Sequence, residues 1–278
     1  MIDLLYAIIL GIVEGITEWL PISSTAHLII TEKLMSPLLN STTVFTEEFM
    51  LLSDVVVQLG AIFAIVVIYF KKLYPFKYND EEYSQKDKYK IWLNVVISCI
   101  PIIIFGLLFD EIVVNLFYNI VIISVVLIFY GVIFIIVENH NKKKQYEVTD
   151  VTNISTKKAL ILGFIQTLAI IPGTSRSGVT IIGASILGCD RKSSAEYSFF
   201  LSIPIMFGAS LLKLIKYLLN FSLAMNQLII LLIMMTVACI VSLFIVKKLL
   251  EFIKKFSFKS FGVYRIILGI IILILYFL

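Results

Sequence analysis

Pro172-Gly-Thr-Ser-Arg-Ser-Gly-Val-Thr180 lies between two apolar stretches, 159–171 and 181–188, whose composition suits lipid. An arginine in hydrocarbon costs roughly 2.5–3.5 kcal/mol on insertion scales, so one that persists there meets an anion or lines a water-filled cavity. Arg176 is therefore a candidate functional residue. Around it Thr174, Ser175, Ser177 and Thr180 offer hydroxyls, while Gly173 and Gly178 let the backbone turn tightly and bring N–H groups toward a ligand. A phosphate suits that set. The plainer alternative is an arginine satisfied by serines and carbonyls at a helix contact.

The rest of the chain explains why such a cluster stands out. Hydrophobic residues make up 60% of it and charged residues 15%, with a mean hydropathy of +1.01, which excludes an ordinary soluble globule. Unbroken apolar spans occupy 51–70, 91–109, 118–137, 197–219, 227–246 and 261–278, each near the ~20 residues that cross a bilayer as helix. Two more apolar stretches, 1–30 and 158–188, are interrupted by proline and polar clusters, which predicts broken or re-entrant helices. The expectation is an all-α integral membrane protein with six transmembrane helices and two broken helix pairs.

Charge is equally uneven. Segments 71–90, 139–158 and 247–259 hold sixteen lysines, and counting crossings puts all three on one side of the membrane. The connections 110–117 and 220–226 carry no basic residue, so the positive-inside rule predicts cytoplasmic lysine-rich loops and external termini. Lys213 and Lys216, near the outer end of the fourth span, would snorkel to the interface. No cleavable signal peptide is expected, because residues 1–10 contain Asp3 and lack a basic region. Cys99, Cys189 and Cys239 sit in or beside apolar spans at no metal-ligand spacing and read as packing residues.

The two polar clusters align with each other. With a one-residue gap, Gly11 meets Gly163, Glu14 meets Gln166, Pro21 meets Pro172, and Ser23-Ser24 meets Thr174-Ser175. Each half then continues with three spans. This gives a single membrane domain over 1–278, with repeat 1 at about 1–138, a basic cytoplasmic linker at 139–157 and repeat 2 at about 158–278. Three crossings separate the clusters, so the second copy would insert upside down; in such inverted-topology repeats the interrupted helix ends build one site from both halves.

Glu14 and Glu18 stand four apart on one helix face, where like charges repel. Two carboxylates there imply a bridging cation, a basic neighbour or a retained proton, unless both simply face water at the surface. After Pro21, Ser23 or Ser24 would cap a new helix and place His27 one turn beyond Ser24. That pairing suits a hydroxyl activated by imidazole, or an imidazole that itself attacks phosphorus, as well as a merely structural histidine.

Glu14-Gly-Ile-Thr-Glu18, the following Leu-Pro-Ile-Ser-Ser-Thr-Ala-His27, and Pro172-Gly-Thr-Ser-Arg-Ser-Gly-Val-Thr180 together resemble the undecaprenyl-diphosphate phosphatase family linked to bacitracin resistance. The likeness extends through Asp54-Val-Val-Val-Gln58-Leu-Gly60 and Ala195-Glu196-Tyr-Ser198-Phe-Phe-Leu-Ser-Ile-Pro204. It implies hydrolysis of undecaprenyl diphosphate to the monophosphate and inorganic phosphate, recycling the lipid carrier of cell-wall synthesis at a bacterial plasma membrane through a site that opens outward. It also implies a divalent cation, Mg2+ or Ca2+, held by Glu14 and Glu18, with Glu14, Glu18, Ser24, His27 and Arg176 as catalytic residues. Ser23, Thr25, Gly173, Thr174, Ser175, Arg176, Ser177 and Thr180 would bind the diphosphate. Whether Ser24, His27 or water attacks phosphorus stays open.

A different lipid-phosphatase pattern, an arginine motif followed by a histidine and an aspartate, is excluded: His27 and His140 are the only histidines, and neither follows Arg176. The principal rival is a transporter or flippase for an anionic or polyprenyl-phosphate substrate, since inverted repeats with broken helices are a transporter's plan. A carrier of anions has little use for a carboxylate pair. Expected partners are the polyprenyl diphosphate and the bilayer, with no nucleic acid. Gly11 and Gly15 form a small-residue face that could pack a neighbouring helix or, in a homodimer, a second copy.

Overall fold

The computed structural model describes residues 2–39, 44–76, 83–141 and 145–278. Lys77 and Lys142–Lys144 of the basic segments lie outside them. The chain is 83% helical, with no strand among the described residues, and it is an all-α integral membrane protein. In chain order the helices are α1 (Ile2–Thr17), α2 (Ser24–Leu39), α3 (Glu47–Val56), α4 (Gln58–Ile68), α5 (Phe70–Leu73), α6 (Gln85–Phe117), α7 (Ile120–Asn141), α8 (Thr156–Gln166), α9 (Arg176–Ile186), α10 (Arg191–Asn220), α11 (Met225–Lys255) and α12 (Lys259–Phe277). Among the described residues, six segments are long and apolar enough to cross a bilayer: α3 with α4, the Gln85–Phe109 part of α6, α7, α10, α11 and α12. They coincide with the spans expected from hydropathy. The two interrupted stretches fold as the pairs α1–α2 and α8–α9.

The expected connection at 110–117 is itself helical, because α6 runs on through it to Phe117 while the membrane-competent part ends at Phe109. Nothing in that segment breaks a helix: it holds no proline or glycine, and hydropathy alone marks where lipid ends rather than where hydrogen bonding ends. The turn comes at Tyr118-Asn119, where the Asn119 side chain accepts from the Val121 N–H at 2.8 Å and starts α7.

The chain divides into two compact units. The first takes Met1–Trp19, Ser24–Ile68 and Ser202–Lys247. Its core gathers Tyr6 and Leu10 of α1, Phe49 and Leu52 of α3, and Leu231 and Met234 of α11. Gly11 and Gly15 seat α1 on α11: a Cβ at Gly15 would lie 2.8 Å from the Ala238 carbonyl, and one at Gly11 2.7 Å from that of Met234. The small-residue face is thus filled by a helix of the same unit.

The second unit takes Leu20–Ser23, Tyr69–Leu201 and Lys248–Leu278. In it α7 and α12 cross backbone to backbone, since a Cβ at Gly131 or Gly262 would meet the other glycine's carbonyl at 2.7 Å. The segment before α8 is ordered by local capping: Asp150 accepts from the Thr152 N–H at 2.9 Å and Ser155 from the Lys158 N–H at 3.3 Å. Lys72 bridges Asp150 and Glu196 at 3.1 and 2.9 Å.

Candidate active site

In the first unit, α1 carries Glu14, and Glu18 directly follows the helix, its N–H bonded to the Glu14 carbonyl at 3.0 Å. Both are buried, at 0% and 6% exposure, so neither lies on an open surface. The Ser24 hydroxyl donates to Glu18 Oε2 at 2.7 Å. Helical spacing from Ser24 points to His27, but the hydroxyl has a carboxylate as its acceptor. Thr25 is exposed and His27 half-buried at the start of α2. A hydroxyl held against a buried carboxylate is a hydroxyl that can lose its proton.

In the second unit, the Pro172–Thr180 run forms a turn and the first turn of α9. Gly173 has φ 89°, and a Cβ there would meet the Ile123 carbonyl at 2.8 Å, so both its conformation and its packing require glycine. Ser175 caps α9, accepting from the Gly178 N–H at 3.1 Å, although its own φ is 68°. Ser23, at the end of the Leu20–Ser23 turn, has φ 76°. Each of these strained serines immediately precedes a helix, so by conformation Ser23 corresponds to Ser175, not to Thr174. The extra residue in the second turn accounts for the shift by one. Non-glycine residues in such conformations cost about 1–3 kcal/mol each and cluster where a site needs a fixed backbone.

Side chains gather around Ser175. Its hydroxyl lies 3.2 Å from that of Ser177, which also donates to the Leu20 carbonyl at 3.3 Å. Thr180 Oγ1 sits 2.6 Å from Ser198 Oγ and donates to the Arg176 carbonyl at 2.9 Å. Arg176 Nη1 donates to the Ser198 carbonyl at 2.8 Å, which anchors the guanidinium at one corner. The loop therefore offers a half-buried arginine, hydroxyls and the positive end of the α9 dipole together, a natural holder for a phosphate.

Two further residues belong with this loop. Ser198 lies on α10, in a stretch notable in the sequence only as a family-like flank. Arg265 on α12 is fully buried, and it donates to the carbonyls of Pro21 at 3.2 Å, Gly173 at 2.8 Å and Thr174 at 3.1 Å. Arg265 is the one charged residue of the 261–278 span, so the intramembrane-charge argument that singles out Arg176 applies to it equally.

The fold and these clusters define a polytopic membrane protein with interrupted helices and polar, hydroxyl-rich turns. The chain belongs to the family described as bacitracin resistance protein BacA, whose model matches residues 7–271. It is 49% identical over 278 residues to the undecaprenyl-diphosphatase of Acetivibrio thermocellus, covering 100% of this chain and 99% of that protein. It is likewise 49% identical to undecaprenyl-diphosphatase 1 of Clostridium acetobutylicum, covering 100% and 98%, and 46% identical to the undecaprenyl-diphosphatase of Enterococcus faecalis, covering 99% and 97%.

Proposed function

We propose that this protein hydrolyses undecaprenyl diphosphate to undecaprenyl monophosphate and inorganic phosphate, recycling the lipid carrier for peptidoglycan synthesis and so conferring bacitracin resistance. The observation that carries this reading is the 2.7 Å hydrogen bond from the Ser24 hydroxyl to the Glu18 carboxylate, in a chain whose full-length relatives are named as diphosphatases. Binding and releasing an anion needs no hydroxyl poised on a base, whereas phosphoryl transfer does.

In this scheme Arg176, Ser175, Ser177 and Thr180 grip the terminal phosphate, assisted by the N–H groups at the start of α9. Ser24 Oγ forms the bond to the terminal phosphorus as its proton passes to Glu18, and the anhydride P–O bond breaks to release the monophosphate. Water then hydrolyses the phosphoserine to inorganic phosphate. His27, on the same helix, would exchange a proton with the reacting oxygens. Ser23, Thr25, Gly173 and Thr174 complete the binding turns.

Glu14 and Glu18 would hold the divalent cation. Glu14 and Glu18 stand one helical turn apart and are both buried, and this carboxylate pair would be the protein's share of the site. That fits Mg2+ or Ca2+, hard ions that take one or two carboxylates and complete their shell with phosphate oxygens and water. When bound, such an ion supplies charge neutralisation at the anhydride. The lysine-rich segments support cytoplasmic loops and an outward-facing site.

Phosphate release from undecaprenyl diphosphate by detergent-purified protein, with and without Mg2+ or Ca2+, tests the reading. Metal-dependent release that falls at least ~100-fold in both Glu18→Gln and Arg176→Ala, about 2.7 kcal/mol of transition-state stabilisation, is the expected result. Binding of the lipid without any release by wild type would instead favour a carrier.

A further inference from the structure

Arg265 has the geometry of a clamp. Its guanidinium gives Nη1 to the carbonyl of Pro21, Nη2 to those of Gly173 and Thr174, and Nε to that of Leu127 at 3.4 Å. Its central carbon lies 5.7 Å from the centre of the Tyr130 ring. Among the described residues no carboxylate pairs with it, so a fully buried cation meets only carbonyl dipoles and a ring face. A buried charge without a counter-ion is costly unless fixed dipoles or a bound anion compensate it.

The carbonyl and the N–H of one peptide plane point in opposite directions. Holding the Thr174 carbonyl therefore turns the Ser175 N–H away from Arg265, and none of the described hydrogen bonds uses that N–H. The neighbouring Thr174 N–H is consumed at 3.2 Å by the Ile171 carbonyl, which closes the turn. Ser23 and Ser175, the two positive-φ serines, each lie within two residues of a carbonyl that Arg265 holds.

We propose that Arg265 is a positioning residue for the anion: it fixes the Thr174–Ser175 peptide so that the Ser175 N–H faces the terminal phosphate, and its uncompensated charge favours anion binding without direct contact. This rests on the diphosphatase reading for its substrate, though not for its geometry.

The test uses Arg265→Lys and Arg265→Ala, measuring kcat and KM for phosphate release, the thermal midpoint, and the rise in that midpoint on adding inorganic pyrophosphate. Lysine keeps the charge, but one ammonium cannot span the four carbonyls. Folded Arg265→Lys should lose about 100-fold in kcat, the scale of one preorganised donor, and most of the pyrophosphate-induced rise. Guanidinium at millimolar concentration should restore at least tenfold activity to Arg265→Ala. Wild-type kcat and pyrophosphate response in folded Arg265→Lys, a fall confined to the thermal midpoint, or no folded protein from either variant would each overturn the proposal. If wild type releases no phosphate while the variants still lose the pyrophosphate response, the hydrolase reading fails and the clamp stands.

Discussion

Ser175 is asked to do three things at once: adopt φ 68°, cap α9 through the Gly178 N–H, and present a hydroxyl beside Ser177. Only the first is better done by glycine, which takes positive φ without strain and, at an N-cap, costs only a few tenths of a kcal/mol relative to serine. Ser175→Gly should therefore hold or raise the thermal midpoint while phosphate release falls at least ~10-fold, the opposite of what a purely structural serine would give. A midpoint drop that matches the activity loss would place Ser175 in the fold alone. Much of this residue-level picture was legible beforehand. Arg176 and its hydroxyls announced themselves as polar groups in lipid-suited sequence. The acceptor of the Ser24 hydroxyl did not, because helical spacing shows only His27 on its own helix, whereas Glu18 reaches it across the turn that joins α1 to α2.

Helices pose a different problem, since hydropathy locates the lipid-crossing parts but not the partners those parts choose. The six spans and two interrupted pairs followed directly from apolar runs of bilayer length. The extension of α6 to Phe117 did not, because the helix continues past the apolar stretch wherever no breaker stops it. Gly11 and Gly15 were readable as a close-packing face, and only the fold shows that α11 occupies it. The contact is tight enough to predict from: a side chain at Gly15 would press on the Ala238 carbonyl and on Val241, at 2.8 Å each, and backbone cannot yield as a flexible side chain can. Gly15→Leu should cost about 3 kcal/mol, the upper end for overpacking a core. Because Glu14 rides the same helix and Glu18 directly follows its end, activity should fall with stability. Gly106, which has open space around its Cβ position, is the control, and Gly106→Ala should leave the midpoint of detergent-solubilised protein unchanged or slightly raised. Equal effects at the two positions would sink the packing argument.

At the scale of the whole molecule, pH dependence of stability should trace to ion pairs outside the spans, with Lys72 and Asp150 as the readable case. Burial disfavours the Asp150 charge, but the Thr152 N–H and Lys72 outweigh it, so its carboxyl is held below the ordinary value of 3.8. Burial also opposes the Lys72 ammonium, yet Glu196, Tyr83 and Asp150 hold it above the ordinary 10.5. A depressed acid stabilises above its unfolded pKa and loses that contribution as pH falls through the folded one; a raised base stabilises below its unfolded pKa and loses it as pH rises through the folded one. The pair therefore contributes fully between about pH 4 and pH 10. Asp150→Asn separates the charge from the cap, since asparagine still accepts from the Thr152 N–H. The variant's thermal midpoint should lie a few degrees below wild type at pH 7, and the gap should close as pH falls below the ordinary 3.8 and through the lowered folded value, where wild-type Asp150 is protonated too. Lys72→Ala should cost more, about 3 kcal/mol, because it removes the 2.9 Å cation of Glu196, 5% exposed, and among the described residues leaves the more distant Lys192 at 3.8 Å as its ion-pair partner. A gap between wild type and Asp150→Asn that persists unchanged down to the acid limit of folding would show that asparagine disturbs the segment before α8 sterically, and that the Lys72 charge contributes nothing through Asp150.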